Sequence, residues 1–375
     1  MRAFSVGRNI AIDAGRHNAY TASVLEQLIQ QIAKGDELSE RDTNVAVDGL
    51  LDKGLPDELK ARFLTAFSRK GETVSEITVF ARRLRDQSIP PPLDEGTRSR
   101  DILDVCGTGG DRLNTFNIST TVALVAAAAK VTVAKHGNRA VTSQAGSADV
   151  LEALGIRTDL EPDQAARWLR DHHFAFLLAP RYHPAFRHLA AARKLCAGRG
   201  QRTIFNFLGP LLNPARPSAQ LVGVPAVALA EPVARVLQSL GVRRGMVASG
   251  RIGDAWLDEL STLGENTIAE FYQDRGFAIS TMSPVDFPVQ PATLGDLAGG
   301  DRFKNAQIVR AILRGEDRGP KRDAVLLNAA AALFVAGVSR SLVEGWERAA
   351  DLIDSGAARA KLEELVKASK EVSGQ

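Results

Sequence analysis

The sequence predicts an α/β fold in which a small N-terminal helical domain precedes a larger domain built on a central, largely parallel sheet. Three observations support this. Residues 20–90 carry helical patterns. The prolines at 90–92 then remove three backbone donors and end helical structure. Beyond residue 98, short apolar runs alternate with helical stretches, which is typical of parallel strands joined by crossover helices.

The first helices are recognised from apolar spacing and capping residues. Residues 21–34 repeat apolar side chains at helical spacing, and Ser39 is a candidate N-cap for a second helix. Two further helices are predicted over residues 57–70 and 73–87.

The domain boundaries follow from these patterns. Residues 1–19 are expected to form an irregular N-terminal extension, and residues 20–90 the small helical domain, joined by helices from about 184–212. Residues 90–98 are interpreted as a linker. Residues 99–375 are expected to form the α/β domain.

The α/β domain is assigned from apolar runs next to turns. Strands are predicted over residues 102–105, 131–134 and 174–178. Helices are predicted over residues 118–129 and 147–154, and from residue 305 to about 370.

Bulk composition indicates an ordinary globular protein. The 375 residues are 45% hydrophobic and 24% charged, and Lys plus Arg exceed Asp plus Glu by 47 − 44 = 3. This excess fits anionic ligands without requiring nucleic acid. Cys106 and Cys196 share no metal-ligand spacing, which favours a reducing compartment. The longest apolar stretch, residues 324–337, is too short to span a bilayer, so we expect a cytoplasmic protein without membrane contact.

The first chemical motif is DVCGTGGD at residues 104–111, a strand that enters a turn with three glycines. Glycines let backbone N–H groups approach a phosphate, and the helix start at NIST, residues 117–120, adds further N–H groups and hydroxyls. The glycine spacing and the absence of a Lys exclude a P-loop and a dinucleotide fingerprint. The alternative is a glycine turn that serves packing alone.

The second motif, KHGNR at residues 135–139, begins at the carboxyl end of a predicted strand, where open α/β sheets bind ligands. Lys135 and Arg139 bring positive charge towards the first loop, and Asn138 and Ser143 add neutral donors. By itself this segment could be a solvated basic turn.

The third motif is WLDELS at residues 256–261. An Asp-Glu pair is usually a surface feature, but Asp258 and Glu259 follow an apolar run at residues 246–248 that is typical of a strand. Two carboxylates at a strand end facing phosphate loops suit Mg²⁺, which prefers a few carboxylates plus phosphate oxygens.

The fourth motif, RTIFNFLGPLLNP at residues 202–214, follows a helical pattern that starts near Pro184 and carries Arg193. An Arg on such a helix often belongs to a solvated face. A guanidinium is also the natural bidentate partner of a carboxylate.

Together these motifs, in this order, resemble the anthranilate phosphoribosyltransferase family over about residues 20–370. GTGGD, NIST, KHGN-R, GSADVLEALG, RTIFN-LGPLLNP and LDELS all match its pattern, and the stretch from Asn328 to Leu333 resembles its late helix. The resemblance implies a helical domain packed on an α/β domain of the nucleoside phosphorylase type, and a homodimer. It also implies transfer of phosphoribose from phosphoribosyl pyrophosphate (PRPP) to anthranilate, in tryptophan biosynthesis.

The resemblance also implies the roles of individual residues. Ser119, Asp258 and Glu259 would hold Mg²⁺, with two ions per subunit, and Gly107, Asn138 and Arg193 would contact anthranilate. Arg199 is the alternative to Arg193, because the segment before Arg202 is longer than the family pattern. The residues that would bind PRPP are Gly107, Gly110, Asp111, Thr115, Asn117, Ile118, Ser119, Thr120, Lys135, His136, Gly137, Asn138, Arg139, Ala140, Val141, Thr142, Ser143 and Ser147.

In PRPP chemistry the bond from C1 to pyrophosphate breaks early, so the protein chiefly stabilises the leaving group and places the nucleophile. His136 could assist proton removal or could only shape its turn. Two other functions stay open: a pyrimidine nucleoside phosphorylase on the same fold, which would not need GTGGD or the Asp-Glu pair, and a non-catalytic relative that binds nucleic acid. The basic clusters are short, which disfavours the second.

Overall fold

The computed structural model describes residues 5–140, 144–273 and 276–373, and the side chains of residues 18–140, 144–273 and 276–371. The α-helices are α1 (Ser5–Ala33), α2 (Glu40–Leu51), α3 (Asp57–Lys70), α4 (Val74–Asp86), α5 (Glu95–Arg98), α6 (Ile118–Ala128), α7 (Ser147–Leu154), α8 (Pro162–His172), α9 (Ala179–Tyr182), α10 (Ala190–Gly198), α11 (Ala230–Ser239), α12 (Arg302–Leu313), α13 (Pro320–Val335), α14 (Leu342–Asp354) and α15 (Ala357–Ser373). The strands are β1 (Ile102–Gly107), β2 (Thr132–Gly137), β3 (Phe174–Leu178), β4 (Ala219–Gly223), β5 (Arg244–Ile252), β6 (Ala255–Leu257), β7 (Asn266–Tyr272) and β8 (Gly276–Met282).

The chain divides into two compact units. The first is helical and comprises the described part of residues 1–88 together with residues 183–208. The second comprises residues 89–182 and the described part of residues 209–375, and it contains every described strand. A small helical unit and a larger α/β unit are the fold class that the sequence predicts.

Capping residues and an aromatic core define the helical unit. The Ser39 hydroxyl accepts from the backbone N–H of Asp42 at 3.1 Å, which confirms the predicted cap of α2. Thr73 and Glu76 form a capping box at the start of α4. The rings of Phe63 and Phe67 stack with centroids 5.6 Å apart, and neither side chain is accessible to solvent.

The N-terminal segment differs from the expected irregular extension. Residues 5–19 form the first half of α1, which runs to Ala33 without a break. No proline lies in this segment. Once the apolar second half of α1 has nucleated, each further residue adds a helical hydrogen bond at little cost. Helix can therefore extend through a stretch that lacks an apolar pattern.

The α/β unit is built on an eight-stranded sheet with the order β3-β2-β1-β4-β5-β7-β8, in which β6 also pairs with β5. Strands β3, β2, β1, β4 and β5 are parallel, whereas β6, β7 and β8 are attached by antiparallel pairing. The sheet is therefore largely parallel, as predicted, with an antiparallel edge. Strands β2 and β3 lie on one side of β1, and β4 and β5 lie on the other side. Open α/β sheets bind ligands at the carboxyl ends of the strands where the order changes side in this way.

Two Ala-rich helices pack closely in the core of this unit. Most side chains of α6 and α13 are inaccessible to solvent. Because many of these side chains are small, the two helices pack against each other. Helix α13 also packs against β4 and β5. Among the helices that the structure describes, none combines the length and the apolar character needed to cross a membrane.

Candidate active site

The loop after β1 presents backbone N–H groups to oxygen atoms. Gly109 and Gly110 have φ values of 74° and 113°, a conformation that favours glycine. The N–H of Thr108 donates to the carbonyl of Gly223 at 2.9 Å, and the N–H of Gly109 donates to Asp258 Oδ2 at 2.6 Å. The loop therefore offers a donor to an anionic oxygen, as the sequence predicts for a phosphate.

The amino end of α6 supplies a second donor. The N–H of Ser119 donates to Glu259 Oε1 at 3.2 Å, and the helix dipole favours negative charge at this position. The side chain of Asn117 is held from outside the helix, because Asn305 Nδ2 donates to Asn117 Oδ1 at 2.8 Å. Asp258 and Glu259 therefore each accept from a backbone N–H of the first motif, and of the two donors Ser119 is one of the residues predicted to bind PRPP.

Lys135 joins the loops at the end of β2. Its side chain is only 2% exposed, and Nζ donates to the carbonyl of Val105 at 2.6 Å and to Ser119 Oγ at 3.3 Å. A buried ammonium needs compensating negative charge. The carboxylate of Glu259 supplies part of it, because the charge on Lys135 acts against the rise in the Glu259 pKa.

The turn after β2 is folded onto the start of α7. A Cβ on Gly137 would lie 2.5 Å from Ser147 Oγ, so glycine is needed for the close approach. The Ser147 hydroxyl donates to the carbonyl of Asn138 at 3.3 Å. The predicted PRPP residues Val141, Thr142 and Ser143 lie outside the described residues.

Arg139 is engaged with acidic residues of α7. Its guanidinium makes two hydrogen bonds of 2.6 Å to the carboxylate of Glu152 and lies 3.7 Å from Asp149. Of the two positive charges expected to approach the first loop, Lys135 reaches Ser119, whereas the charge of Arg139 is offset by these carboxylates.

Three carboxylates shape the electrostatics of the site. Burial, repulsion from Asp111 and repulsion from Glu259 raise the pKa of Asp258 well above its usual value. Burial also raises the pKa of Glu259 to about 7, against the lowering effect of Lys135. Such a cluster holds its full negative charge at neutral pH only when a cation offsets it.

The donor set fits Mg²⁺. No group of three or more His, Cys, Asp or Glu side chains in a metal-binding arrangement occurs among the residues described. Mg²⁺ does not require one, since it keeps several waters and is held by one or two carboxylates plus substrate phosphates. Asp258, Glu259 and the hydroxyl of Ser119 provide hard oxygen ligands of this kind.

In the helical unit, the two candidate arginines have different surroundings. The guanidinium of Arg193 lies over the ring of Phe205, 5.0 Å from its centroid, burial lowers its pKa, and it has no ion-pair partner within the described part of the chain. Arg199 makes two hydrogen bonds of 2.9 Å to the carboxylate of Glu58. Arg193 therefore has N–H donors available for an added carboxylate, whereas those of Arg199 that face Glu58 are already used.

Sequence reasoning missed a buried polar pair beneath the loops. Asp104 is inaccessible to solvent, and burial raises its pKa to about 6. Its carboxylate accepts from Asn213 Nδ2 at 2.8 Å and from the N–H of His136 at 3.3 Å. An Asp inside an apolar strand and an Asn in the LGPLLNP motif were the available signals.

Family models match both parts of the chain. Residues 99–359 match "Glycosyl transferase family, a/b domain", and residues 26–88 match "Glycosyl transferase family, helical bundle domain". The fold and these matches define a glycosyltransferase built from a helical bundle domain and an α/β domain.

The similarity extends over nearly the whole chain. Anthranilate phosphoribosyltransferase from Geobacter sulfurreducens is 44% identical, with 93% of this chain and 100% of the relative covered, and that from Alkaliphilus metalliredigens is 43% identical, with 93% and 99% covered. The crystal structure of the Thermus thermophilus enzyme has a TM-score of 0.83 at 38% identity and covers 91% of this chain and 99% of its own. The chain belongs to the anthranilate phosphoribosyltransferase family.

The activity follows from this membership. The protein transfers the 5-phosphoribosyl group of PRPP to the amine of anthranilate, which gives N-(5-phosphoribosyl)anthranilate and pyrophosphate in tryptophan biosynthesis. The nucleoside phosphorylase and nucleic-acid-binding alternatives find no support in these comparisons.

A yeast relative adds information about ligands. The Saccharomyces cerevisiae anthranilate phosphoribosyltransferase in complex with PRPP and Mg has a TM-score of 0.82 at 27% identity, with 93% of this chain and 98% of that chain covered.

Proposed function

We propose that PRPP and Mg²⁺ bind where the β1 loop, the start of α6, Lys135 and the Asp258–Glu259 pair meet. The observation that carries this proposal is the pairing of loop N–H groups with carboxylate oxygens, since Gly109 and Ser119 donate to them. A phosphate oxygen has the same acceptor chemistry. The residues assigned to PRPP are Gly107, Gly110, Asp111, Thr115, Asn117, Ile118, Ser119, Thr120, Lys135, His136, Gly137, Asn138, Arg139, Ala140, Val141, Thr142, Ser143 and Ser147.

The residues of the chain stabilise the leaving pyrophosphate. Mg²⁺, when bound by Ser119, Asp258 and Glu259, supplies positive charge for the pyrophosphate oxygens. Lys135 adds a second positive charge from its buried position, and the loop N–H groups add oriented dipoles. These groups are held in place before reaction, so little reorganisation is needed as the C1–oxygen bond breaks.

The nucleophile needs only weak assistance with its proton, because the aromatic amine of anthranilate is uncharged at neutral pH. His136 is the candidate acceptor. Its Nδ1 lies 3.3 Å from the carbonyl oxygen of Gly209. If Nδ1 carries the proton and donates to this carbonyl, Nε2 is the basic nitrogen of the ring.

We assign the anthranilate carboxylate to Arg193 and give Gly107 and Asn138 contacts with the same substrate. Arg193 is preferred to Arg199 because the latter already forms a bidentate pair with Glu58. The Arg193 guanidinium lies over the ring of Phe205, and a guanidinium suits bidentate hydrogen bonds to a carboxylate.

The proposal includes two Mg²⁺ ions per subunit, a homodimer and a cytoplasmic location. The yeast relative, whose structure contains PRPP and Mg, supports the use of this metal. Isothermal titration of Mg²⁺ in the presence of PRPP would give the number of ions, and sedimentation equilibrium the number of subunits. One ion per subunit, or a monomer at micromolar concentration, would contradict these assignments.

The metal assignment is tested with the double variant Asp258→Ala/Glu259→Ala. We expect no consumption of anthranilate at any Mg²⁺ concentration and a native circular dichroism spectrum, because two carboxylates that repel each other are removed and Asp104 still offsets part of the charge of Lys135. Asp254→Ala, which removes an exposed carboxylate of the nearby β5–β6 turn, is the matched control and should retain activity. Full activity of the double variant at low Mg²⁺ would refute the assignment.

A further inference from the structure

We infer that Asn328 is a positioning residue that holds the Asp258–Glu259 pair in place for the metal; this inference rests on the metal site proposed above. Asn328 lies in α13 among alanines and has no solvent-exposed surface. A buried amide costs free energy unless its hydrogen bonds are made. Its partners therefore indicate what the side chain is for.

Both polar groups of the Asn328 amide bind the residue that follows the carboxylate pair. Oδ1 accepts from the backbone N–H of Leu260 at 2.9 Å, and Nδ2 donates to the carbonyl of Leu260 at 2.8 Å. Nδ2 also donates to the carbonyl of Ala324, one turn earlier in α13, at 2.9 Å. The helix thus fixes the amide, and the amide fixes Leu260.

The bond to the Leu260 N–H has a direct consequence for Glu259. This N–H belongs to the peptide plane that begins at the Cα of Glu259. Fixing the plane limits the directions in which the Glu259 side chain can leave the backbone. Asn328 therefore acts on a carboxylate that it does not touch.

A second buried asparagine holds the next residue. Asn266 Oδ1 accepts from the N–H of Ser261 at 2.7 Å, and its Nδ2 donates to the carbonyl of Ser261 at 3.0 Å. Leu260 and Ser261 lie outside the regular strands, yet side-chain amides satisfy their backbone groups. The backbone at Leu260 and Ser261 is therefore held by hydrogen bonds to side chains, where a strand would be held by hydrogen bonds to a neighbouring strand.

Close packing also restrains the segment at Asp258. A Cβ on Gly223 would lie 1.6 Å from the carbonyl oxygen of Asp258, and a Cβ on Gly107 would lie 2.6 Å from Asp258 Oδ2. The backbone at Asp258 thus packs closely against β1 and β4. The next residues, Leu260 and Ser261, are held by the side-chain amides of Asn328 and Asn266. Two like charges that repel each other need such restraint to stay together, and a metal site tolerates only small errors in ligand position.

The test is Asn328→Ala, which keeps good helix propensity and matches the alanines that follow. We expect Mn²⁺, a paramagnetic probe for the Mg²⁺ site, to bind about tenfold more weakly in the presence of pyrophosphate. Electron paramagnetic resonance reports this binding without turnover. Amide hydrogen exchange over residues 257–263 should become faster, and the KM for anthranilate should not change.

Two further variants make the result specific. Ser369→Ala removes a buried hydroxyl that accepts from the N–H of Arg157 at 2.9 Å, so it controls for general loss of stability. It should leave Mn²⁺ binding unchanged; an equal loss in this variant would refute the positioning role. If Asn328→Ala does not fold, Asn328→Ser is measured instead, since a serine hydroxyl can bond the carbonyl one turn earlier.

The double variant Asp258→Ala/Glu259→Ala separates the inference from the proposal on which it rests. If this variant binds Mn²⁺ as the unmodified protein does, the proposed metal site is wrong. If it loses Mn²⁺ while Asn328→Ala keeps full affinity and unchanged exchange, the metal site stands and the role of Asn328 is wrong. Weaker binding with faster local exchange in Asn328→Ala alone supports the inference.

Discussion

Replacing Arg193 by Ala should weaken the use of anthranilate and leave the use of PRPP nearly unchanged. Arg193 has no ion-pair partner among the described residues, so its donors are not committed elsewhere. A hydrogen bond to a charged group contributes roughly 2 kcal/mol. This corresponds to about a thirtyfold loss in kcat/KM for anthranilate, since 1.4 kcal/mol is a factor of ten.

Arg199→Ala is the matched control. Its guanidinium is bound to Glu58 on the protein surface, so the variant should change kcat/KM for anthranilate little. Both variants are assayed by the loss of anthranilate fluorescence with PRPP in excess. Anthranilamide, which has no carboxylate, should react equally with the Arg193→Ala variant and the unmodified protein. A large defect in Arg199→Ala with a near-normal Arg193→Ala would show that the wrong arginine was assigned.

Four further variants probe the α/β unit. Lys135→Met should lower kcat and raise the KM for PRPP but not the KM for anthranilate, because a charge that stabilises the pyrophosphate is lost, whereas Asn138→Ala should chiefly raise the KM for anthranilate. Glu259→Gln should stabilise the metal-free protein at pH 8 by up to about 3 kcal/mol, because the pKa of Glu259 is raised to about 7 and its ionisation disfavours the folded state. Gly223→Ala should disrupt metal binding, because its Cβ would lie 1.6 Å from the Asp258 carbonyl, whereas Gly198→Ala meets no atom within 4 Å and should be tolerated.

The sign of the pH effect follows from the raised pKa. Stability from a carboxyl with a raised folded pKa is present below the unfolded value of 4.5 and is lost as pH rises through about 7. Urea unfolding in a chelator should therefore show a smaller fall in stability for Glu259→Gln than for the unmodified protein over this range. If the free energy of unfolding falls equally with pH in both proteins, the raised pKa of Glu259 is contradicted. Equal KM changes for both substrates in Lys135→Met and Asn138→Ala would contradict their division of roles, and normal Mn²⁺ affinity in Gly223→Ala would contradict the close packing.

Elements with strong local signals could be predicted from the sequence. The predicted bounds of α3, α7 and β3 coincide with the structure. Gly155, with a φ of 91°, ends α7 in the left-handed conformation that favours glycine, so the end of this helix is marked in the sequence. Apolar periodicity and caps were sufficient at these places because tertiary contacts agree with them.

Other elements have no such signal. The antiparallel edge of the sheet was not predicted, and β8 is mostly exposed along its length, so its sequence lacks the alternation of a half-buried strand. The carboxylates of Asp258 and Glu259 were expected to follow the strand predicted at residues 246–248. They instead follow β6, which returns along β5 as a hairpin.

Only those parts of the candidate site that lie in short sequence motifs could be predicted. The order of the loops identified the glycine turn and the carboxylate pair. The support of the pair comes from Asn328, which is distant in the sequence and whose amide contacts Leu260 only in the folded chain. The buried bond between Asp104 and Asn213 is equally long-range. Local patterns do not encode such contacts, although a polar residue inside an apolar run is a usable signal.

Anomalous diffraction from crystals grown with Mn²⁺ and pyrophosphate would test the central assignment most directly. Bound Mn²⁺ prefers oxygen ligands, as Mg²⁺ does, and scatters anomalously. We expect an anomalous peak within bonding distance of a carboxylate oxygen of Asp258 or Glu259, with pyrophosphate oxygens beside it. A peak coordinated only by pyrophosphate and water, or by other side chains, would contradict the proposed metal site.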